Sequence, residues 1–420
     1  MSYTMFLYID PATGGMLFTI LFGMISAVIY VIRSFYFKVK YSIGCDSKKM
    51  SNSEKLPIVI FTDHKRYWNV FEPICEELEI IGRKAYYYTM SEDDPALDKH
   101  YNNIICEYIG SGNKAFSKMN LLKAYLVLST TPSLDVFQWK RSKDVDYYVH
   151  IPHMANDITV YKMFGLDYYD SILLSGEYQV KQIRELERLR NLPAKDIKLV
   201  GIPYMDDMKK RLDTDNKVYD VDKKSDKNAT VLLAPSWGEN GILKKYGERI
   251  IDALINTGYN IIIRPHPQSF SSEKDMIDSL MNKYNDSSTI EWNRDNDNYE
   301  VLKKSDVLIS DFSGVIFDYT LVYDKPVIYT EPDFDKSVYD CAWIDEELWT
   351  FSILDKLGLE LKEDNIDNIK TIIDECISND KYAAGREQAR RETWTNIGES
   401  TGIVVDYIID KYNELLNVSE

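Results

Sequence analysis

The sequence predicts two α/β domains, each a mostly parallel sheet with helices on both faces, facing each other across a cleft behind an N-terminal transmembrane helix. Three observations carry this. Short apolar runs of strand type alternate with helical apolar faces, and the alternation occurs twice, on either side of a charged stretch at 213–229. An uncharged run from Gly14 to Ile32 has the length, roughly 20 residues, that a helix needs to cross a bilayer. Polar residues of anion-binding type gather at predicted strand ends in both halves, where open α/β sheets hold ligands.

In chain order, residues 1–40 read as a membrane anchor and 41–56 as a linker. Arg33, Lys38, Lys40, Lys48 and Lys49 follow the apolar run, so the positive-inside rule predicts a single-pass cell-membrane protein with its domains in the cytoplasm. A cleaved signal peptide would carry its positive charge before the run and a small-residue site after it; neither is present. The first domain, 57–212, opens with the strand PIVIFT at Pro57 to Thr62. Trp68, Phe71, Ile74, Cys75, Leu78 and Ile81 then form a helical apolar face, and Gly82 is its candidate C-cap. Strands are predicted at Ala85 to Thr89, Tyr125 to Ser129, Asp146 to His150 and Tyr168 to Leu174, with Ile104-Ile105 a weaker apolar patch. KQIRELERLR reads as a solvated helix face, and KLVGIP as a last strand and turn through Pro203. His150-Ile151-Pro152-His153 closes a strand, which places two of the five histidines where chemistry is expected.

After the 213–229 linker, the second domain, 230–385, restarts with TVLLA at Thr230 to Ala234, and the glycine-containing loop PSWGENG follows. A strand at Asn260 to Ile263 ends in Arg264-Pro265-His266-Pro267. The two prolines restrict that turn, holding an arginine fork suited to phosphate and a histidine at the strand end. Asp295-Asn296-Asp297 reads as loop and helix cap rather than a metal pair. The apolar strand Val307 to Ile309 runs into Ser310-Asp311-Phe312-Ser313-Gly314 and a helix bearing Val315, Ile316, Tyr319 and Val322. A helix start offers unpaired N–H groups to an anion; the competing reading is N-capping by Ser310, Asp311 or Ser313. Residues 386–420 read as C-terminal helices.

The net charge of −17 argues against nucleic acid as a partner, without excluding an anionic substrate held by a few local donors. Cys45, Cys75, Cys106, Cys341 and Cys376 form no CxxC pair, so neither a disulfide framework nor a zinc site is expected. The polar groups divide the labour. The second domain, with Ser236, Trp237, Gly238, Arg264, His266 and Ser310 to Gly314, is the expected nucleotide-donor side; the first, with His150 and His153, offers a base to an acceptor. Two such Rossmann-like domains across a cleft are the arrangement of the GT-B transferases.

RPHP at Arg264 to Pro267, followed by SDFSG and an FDY helix, resembles the CDP-glycerol glycerophosphotransferase family of teichoic-acid and capsule synthesis, most clearly from about Asp146 to Glu331. LLAPSWGENG and HIPHMANDITVY resemble a subgroup with an N-terminal membrane segment. The resemblance implies transfer of a glycerol-phosphate or related alditol-phosphate group from a CDP-activated donor to a hydroxyl of a lipid-linked or polymeric envelope acceptor. It implies histidine assistance and calls for no metal and no cofactor. The family's base histidine lies in a Trp-His-Gly-Thr context; here VHIPHM leaves His150 or His153 in that place, while His266 matches the second family histidine. Ser310, Asp311 and Ser313 match three positions of the family's Ser-Asp-x-Ser-Ser, and Glu331 is placed to accept from a ribose hydroxyl. Two other readings share the architecture: a glycosyltransferase or 2-epimerase using a UDP-sugar, and a non-catalytic partner of an envelope-polymer complex.

Overall fold

The computed structural model describes residues 55–218, 228–295, 297–330, 334–378 and 381–419, together with Phe22, Met24, Ile25, Val28, Val31 and Ile32. Those six are helical and exposed. The rest of the predicted anchor lies outside the described residues, and no described helix is long and apolar enough to cross a membrane.

Two wholly parallel sheets organise the chain. The first has seven strands in the order β3-β2-β1-β4-β5-β6-β7. They are β1 (Leu56–Thr62), β2 (Ala85–Thr89), β3 (Ile104–Tyr108), β4 (Lys123–Ser129), β5 (Asp144–His150), β6 (Ser171–Leu174) and β7 (Asp196–Leu199). The second has six in the order β10-β9-β8-β11-β12-β13. These are β8 (Thr230–Leu233), β9 (Asn260–Ile263), β10 (Ile290–Trp292), β11 (Val307–Ser310), β12 (Val327–Thr330) and β13 (Gly358–Leu361).

The continuous apolar runs are explained by burial on both faces. In β1, Ile58 and Ile60 pack with Phe71, Ile74 and Leu78 of the helix Trp68–Ile80, while Val59 and Phe61 pack with Ala115, Met119 and Trp139 on the opposite face. In β8, Val231 and Leu233 meet Ile250 and Leu254 on one side, and Leu232 joins a core containing Phe317 and Tyr319 on the other.

Three predicted elements are corrected. The helix Pro203–Val218 runs into the predicted linker. Its end is anchored by tertiary and local contacts: Thr214 donates to the Lys210 carbonyl at 2.8 Å, and Asp215 accepts from Tyr299 at 2.8 Å and pairs with Lys303. Pro203 begins that helix instead of ending a strand, because a first helical position has no use for the missing N–H. The helix Glu177–Arg190 is not simply a solvated face: Gln182, Ile183, Leu186 and Glu187 are buried, and Arg190 pairs with Asp167 (2.7 Å) and with Asp340 of the second domain. The predicted C-terminal helices are present and join the two domains. Arg386 and Arg390 of the helix Ala383–Thr393 pair with Asp324, after which the chain crosses back and the helix Ser400–Ser419 packs on the first sheet, with Tyr412 against Tyr125 at 5.5 Å. Gly201 makes the crossing possible: its φ is +90°, and a Cβ there would meet the Thr395 carbonyl at 2.2 Å.

The two domains also touch directly. Asp157 accepts from the Trp349 and Thr350 amides at 3.0 and 2.7 Å, and Tyr178 stacks on Trp349 at 4.7 Å. These contacts fix the two sets of carboxyl strand ends across one cleft.

Candidate active site

A cavity of about 630 Å³ lies in that cleft and draws His153 from the first domain and Arg264, His266, Ser313 and Gly314 from the second. Gly314 sits close to the opposite domain: a Cβ there would come within 3.3 Å of Met154 and 3.4 Å of Asn156.

The structure separates the two histidines after β5. His150 ends the strand fully buried, with Nε2 3.3 Å from the Tyr161 hydroxyl and its ring edge-on to Tyr161 and Tyr169. Burial, with His153 adding, pushes its pKa well below the ordinary histidine value. It does not line the cavity, so its predicted place as a base is corrected: His150 still belongs to β5, and it is His153, at the bend beyond it, that reaches the cleft. Tyr67 packs on His153 at 4.5 Å, and Nδ1 of His153 lies 3.2 Å from Thr130 Oγ1 and 3.4 Å from the Tyr161 hydroxyl. Burial, then Arg66 and His266, bring the His153 pKa down to about 3, so the ring is neutral at pH 7.

His266 is held differently. Its Nδ1 accepts from the Gln268 amide at 3.1 Å. A ring nitrogen that accepts cannot carry the proton, so the neutral ring bears its hydrogen on Nε2. Burial, then Arg66 and Arg264, lower its pKa to about 4. Arg264 is braced by Asn293, which donates in turn to Asp295 at 2.7 Å.

The remaining predicted donor-side residues divide into cavity walls and scaffold. Trp237, half exposed, lines the cavity 6.4 Å from the His266 ring, and Ser313 and Gly314 line it as well. Ser310 and Asp311 are buried and do not line it: Ser310 donates to the Ala234 carbonyl at 2.6 Å, and Asp311 accepts from the Ser236, Ile242 and Phe312 amides. They tie the Pro235–Gly241 loop to the end of β11, and neither caps the helical segment that follows, whose N-cap is Gly314 with no side-chain hydrogen bond. Ser236 and Gly238 belong to that tether, Gly238 through a turn at φ +95° and an amide bond to Glu273 at 3.1 Å. Glu331 lies outside the described residues. The segment after Gly314 begins with one α-turn, Val315–Phe317, and continues as a π-helical turn, Asp318–Val322.

Two wall residues escaped the sequence reading. Arg66 follows β1, its guanidinium 4.7 Å over the Tyr67 ring and its Nε buried with no hydrogen-bond partner among the described residues. The same strand-end rule that marks His153 applies to Asp63-His64-Lys65-Arg66. Asp318 is a carboxylate inside an apolar helical face. It accepts from Tyr204 at 2.9 Å and Asn298 at 3.2 Å, and burial lifts its pKa to about 6. Among the described residues, no group of three or more His, Cys, Asp or Glu side chains is arranged to hold a metal ion.

The family model described as CDP-Glycerol:Poly(glycerophosphate) glycerophosphotransferase matches residues 149–399. A structure of the wall teichoic acid polymerase TagF superposes with a TM-score of 0.57 at 17% identity, covering 93% of this chain and 99% of that one. A TagF variant soaked with CDPG gives 0.54 at 17% identity over the same shares. UDP-GlcNAc 2-epimerase of Methanocaldococcus jannaschii, in complex with UDP-GlcNAc and UDP, gives 0.56 at 13% identity, covering 84% of this chain and 99% of that chain. At these identities the likeness shows the fold, two α/β domains in the GT-B-like arrangement. No curated protein matches the chain in sequence.

Proposed function

The chain belongs to the CDP-glycerol:poly(glycerophosphate) glycerophosphotransferase family, and from that premise we propose that it moves a glycerol-phosphate, or a related alditol-phosphate, from a CDP-activated donor to a hydroxyl of a lipid-linked or polymeric envelope acceptor. The observation that carries this is the opposition of His153 and His266, from different domains, across one cavity that also holds Arg66 and Arg264.

The acceptor oxygen attacks the β-phosphorus of the CDP-alditol. One P–O bond forms, the bond from that phosphorus to the bridging oxygen breaks, and CMP leaves with the bridging oxygen. The acceptor proton goes to His153 Nε2. An isolated neutral cavity makes His153 a weak base. The bound pyrophosphate reverses this, because two nearby negative charges favour the imidazolium and raise its pKa. His266 Nε2–H and the two guanidiniums stabilise charge on the pyrophosphate and on departing CMP. Ser313 and Gly314 let the diphosphate approach the backbone, and the protein's own donors are the means by which this scheme works.

An inner-leaflet location follows from the same reading: the uncharged run Gly14 to Ile32, flanked by Arg33 and the lysines beyond it, holds the cleft near a lipid-borne acceptor. Carbonate-resistant membrane retention of the full chain is expected, and its loss from the membrane in carbonate would remove this part of the proposal.

The deciding experiment follows nucleotide release by the full chain in detergent from CDP-glycerol, CDP-ribitol and UDP-GlcNAc, with wild type and His266→Ala. CMP release from a CDP-alditol, strongly reduced in the variant, is the expected result. Exclusive use of the UDP-sugar would overturn it and move the protein to the sugar-nucleotide enzymes.

A further inference from the structure

We infer that His150 is a positioning residue: acting through the Tyr161 hydroxyl, it fixes the ring tautomer of His153 so that Nε2 faces the cavity as a bare lone pair. The inference rests on the reading of His153 as the base, and it gives a task to a buried histidine that never meets substrate.

A neutral histidine accepts a proton at Nε2 only if its own hydrogen is on Nδ1. His266 has no such freedom, since a backbone amide already occupies its Nδ1. His153 Nδ1 instead faces two hydroxyls, Thr130 at 3.2 Å and Tyr161 at 3.4 Å. A hydroxyl can donate or accept, so these contacts alone permit either tautomer. The Tyr161 proton enters this choice beside that of Thr130, and Tyr161 has a further neighbour behind it, His150 Nε2, at 3.3 Å.

Two arrangements of this chain exist. In one, His150 Nε2 carries hydrogen and donates to Tyr161, Tyr161 donates to His153 Nδ1, and His153 presents Nε2–H to the cavity. In the other, Tyr161 donates to His150 Nε2, its oxygen accepts from His153 Nδ1–H, and His153 Nε2 is bare. The cavity selects the second. Arg66 and His266 line the same cavity as His153, and a positive charge and an Nε2–H donor facing that cavity favour a lone pair over an N–H on His153. His150 is fully buried and its Nδ1 has no partner among the described residues, so its Nε2 contact with Tyr161 is its polar link towards the cavity. The arrangement performs with a neutral imidazole what a carboxylate does behind the histidine of a catalytic triad.

The test uses the full chain labelled with ¹⁵N-histidine, whose five histidines are few enough to assign by substitution. Long-range ¹H–¹⁵N spectra at pH 7.5 report which ring nitrogen is protonated without any donor present. His153 is expected with hydrogen on Nδ1, and His266, as the internal contrast, with hydrogen on Nε2. His150→Leu keeps bulk and removes the acceptor, so the Tyr161 proton turns to His153 and its tautomer flips. Turnover then falls roughly 10- to 100-fold at unchanged donor KM, up to the lower end of what acid–base assistance contributes, since the base is mispositioned and not removed. His150→Gln, whose amide oxygen reaches the Nε2 position, restores both. Hydrogen on Nε2 of wild-type His153, or an unmoved tautomer in a folded His150→Leu protein, overturns the inference. If His150→Leu does not fold, the wild-type tautomer and the His150→Gln rescue decide it. The expected tautomers with no turnover of any CDP-alditol would sink the proposed donor and leave this inference standing.

Discussion

The two cavity histidines share a residue type, a strand-end address and a neutral ring, and differ in what touches Nδ1. His266 stands on a backbone amide, so its Nε2 is a donor by construction. His153 stands on two hydroxyls, and its role is set by residues behind it. The lesson is that strand-end position marks a residue as functional, while the partner on the far side of the ring assigns acid or base. Pro265 and Pro267 make the His266 turn self-contained; the His153 turn depends on Thr130, Tyr161 and Tyr67 from elsewhere in the first domain.

The sharpest way to break this contrast is to truncate each ring. His153→Ala is expected to lower kcat by roughly 100- to 10,000-fold with donor affinity nearly unchanged, because a base to the acceptor acts only in the transition state. His266→Ala is expected to weaken nucleotide binding as well as turnover, with a loss in kcat of about 100- to 1,000-fold, as for removal of a preorganised donor. Calorimetric donor affinities alongside turnover numbers separate the two patterns. Equal loss of donor affinity in both variants would erase the division between base and donor.

A smaller effect sharpens the same contrast at the arginines. Arg264 belongs to the second domain and is braced by Asn293; Arg66 belongs to the first and reaches the cavity from the side of His153. Each charge-assisted contact to a phosphate is worth about 1.5–3 kcal/mol. Arg66→Ala and Arg264→Ala should therefore each weaken CDP-glycerol binding by roughly 10- to 100-fold. Cytidine alone should bind both variants as it binds wild type, since it carries no phosphate. If Arg66→Ala leaves CDP-glycerol affinity intact, the donor is held by the second domain by itself.

Much of this was legible in the chain. Continuous apolar runs such as PIVIFT and TVLLA marked strands buried on both faces, and the strand-end rule found His153, Arg264 and His266. Tertiary packing hid the rest. His150 and His153 are three residues apart and equivalent in type, and only the end of β5 at His150 and the bend at His153 tell which one reaches the cleft. Ser310 and Asp311 have the residue types of an anion loop, yet spend their polar groups on the Ala234 carbonyl and on the amides of Ser236, Ile242 and Phe312. The return of the last helix to the first sheet relies on Gly201, whose φ of +90° has no signature in a single sequence.

The smallest expected effect is a pH dependence of stability in which the two sides act together and an acid opposes them. His153 and His266 have folded pKa values near 3 and 4, below the 6.5 of the unfolded chain. Between those values the unfolded chain binds the extra protons. Their contribution is therefore fully present above pH 6.5 and is lost as pH falls, at up to about 1.4 kcal/mol per pH unit for each proton. Asp318 runs the other way: with a folded pKa near 6 against 3.8 unfolded, it gains stability as pH drops through 6. Wild type alone mixes these slopes, so the measurement is a difference. Denaturant midpoints from pH 7.5 to 4.5 should fall less steeply for His153→Asn and His266→Asn than for wild type, and more steeply for Asp318→Asn. Donor added to wild type should also flatten the histidine part, because the pyrophosphate raises both pKa values and binding takes up protons, seen as buffer-dependent heat. Parallel slopes for wild type and both histidine variants would mean that neither ring is held neutral by the cleft, and the contrast between them would then lie in geometry alone.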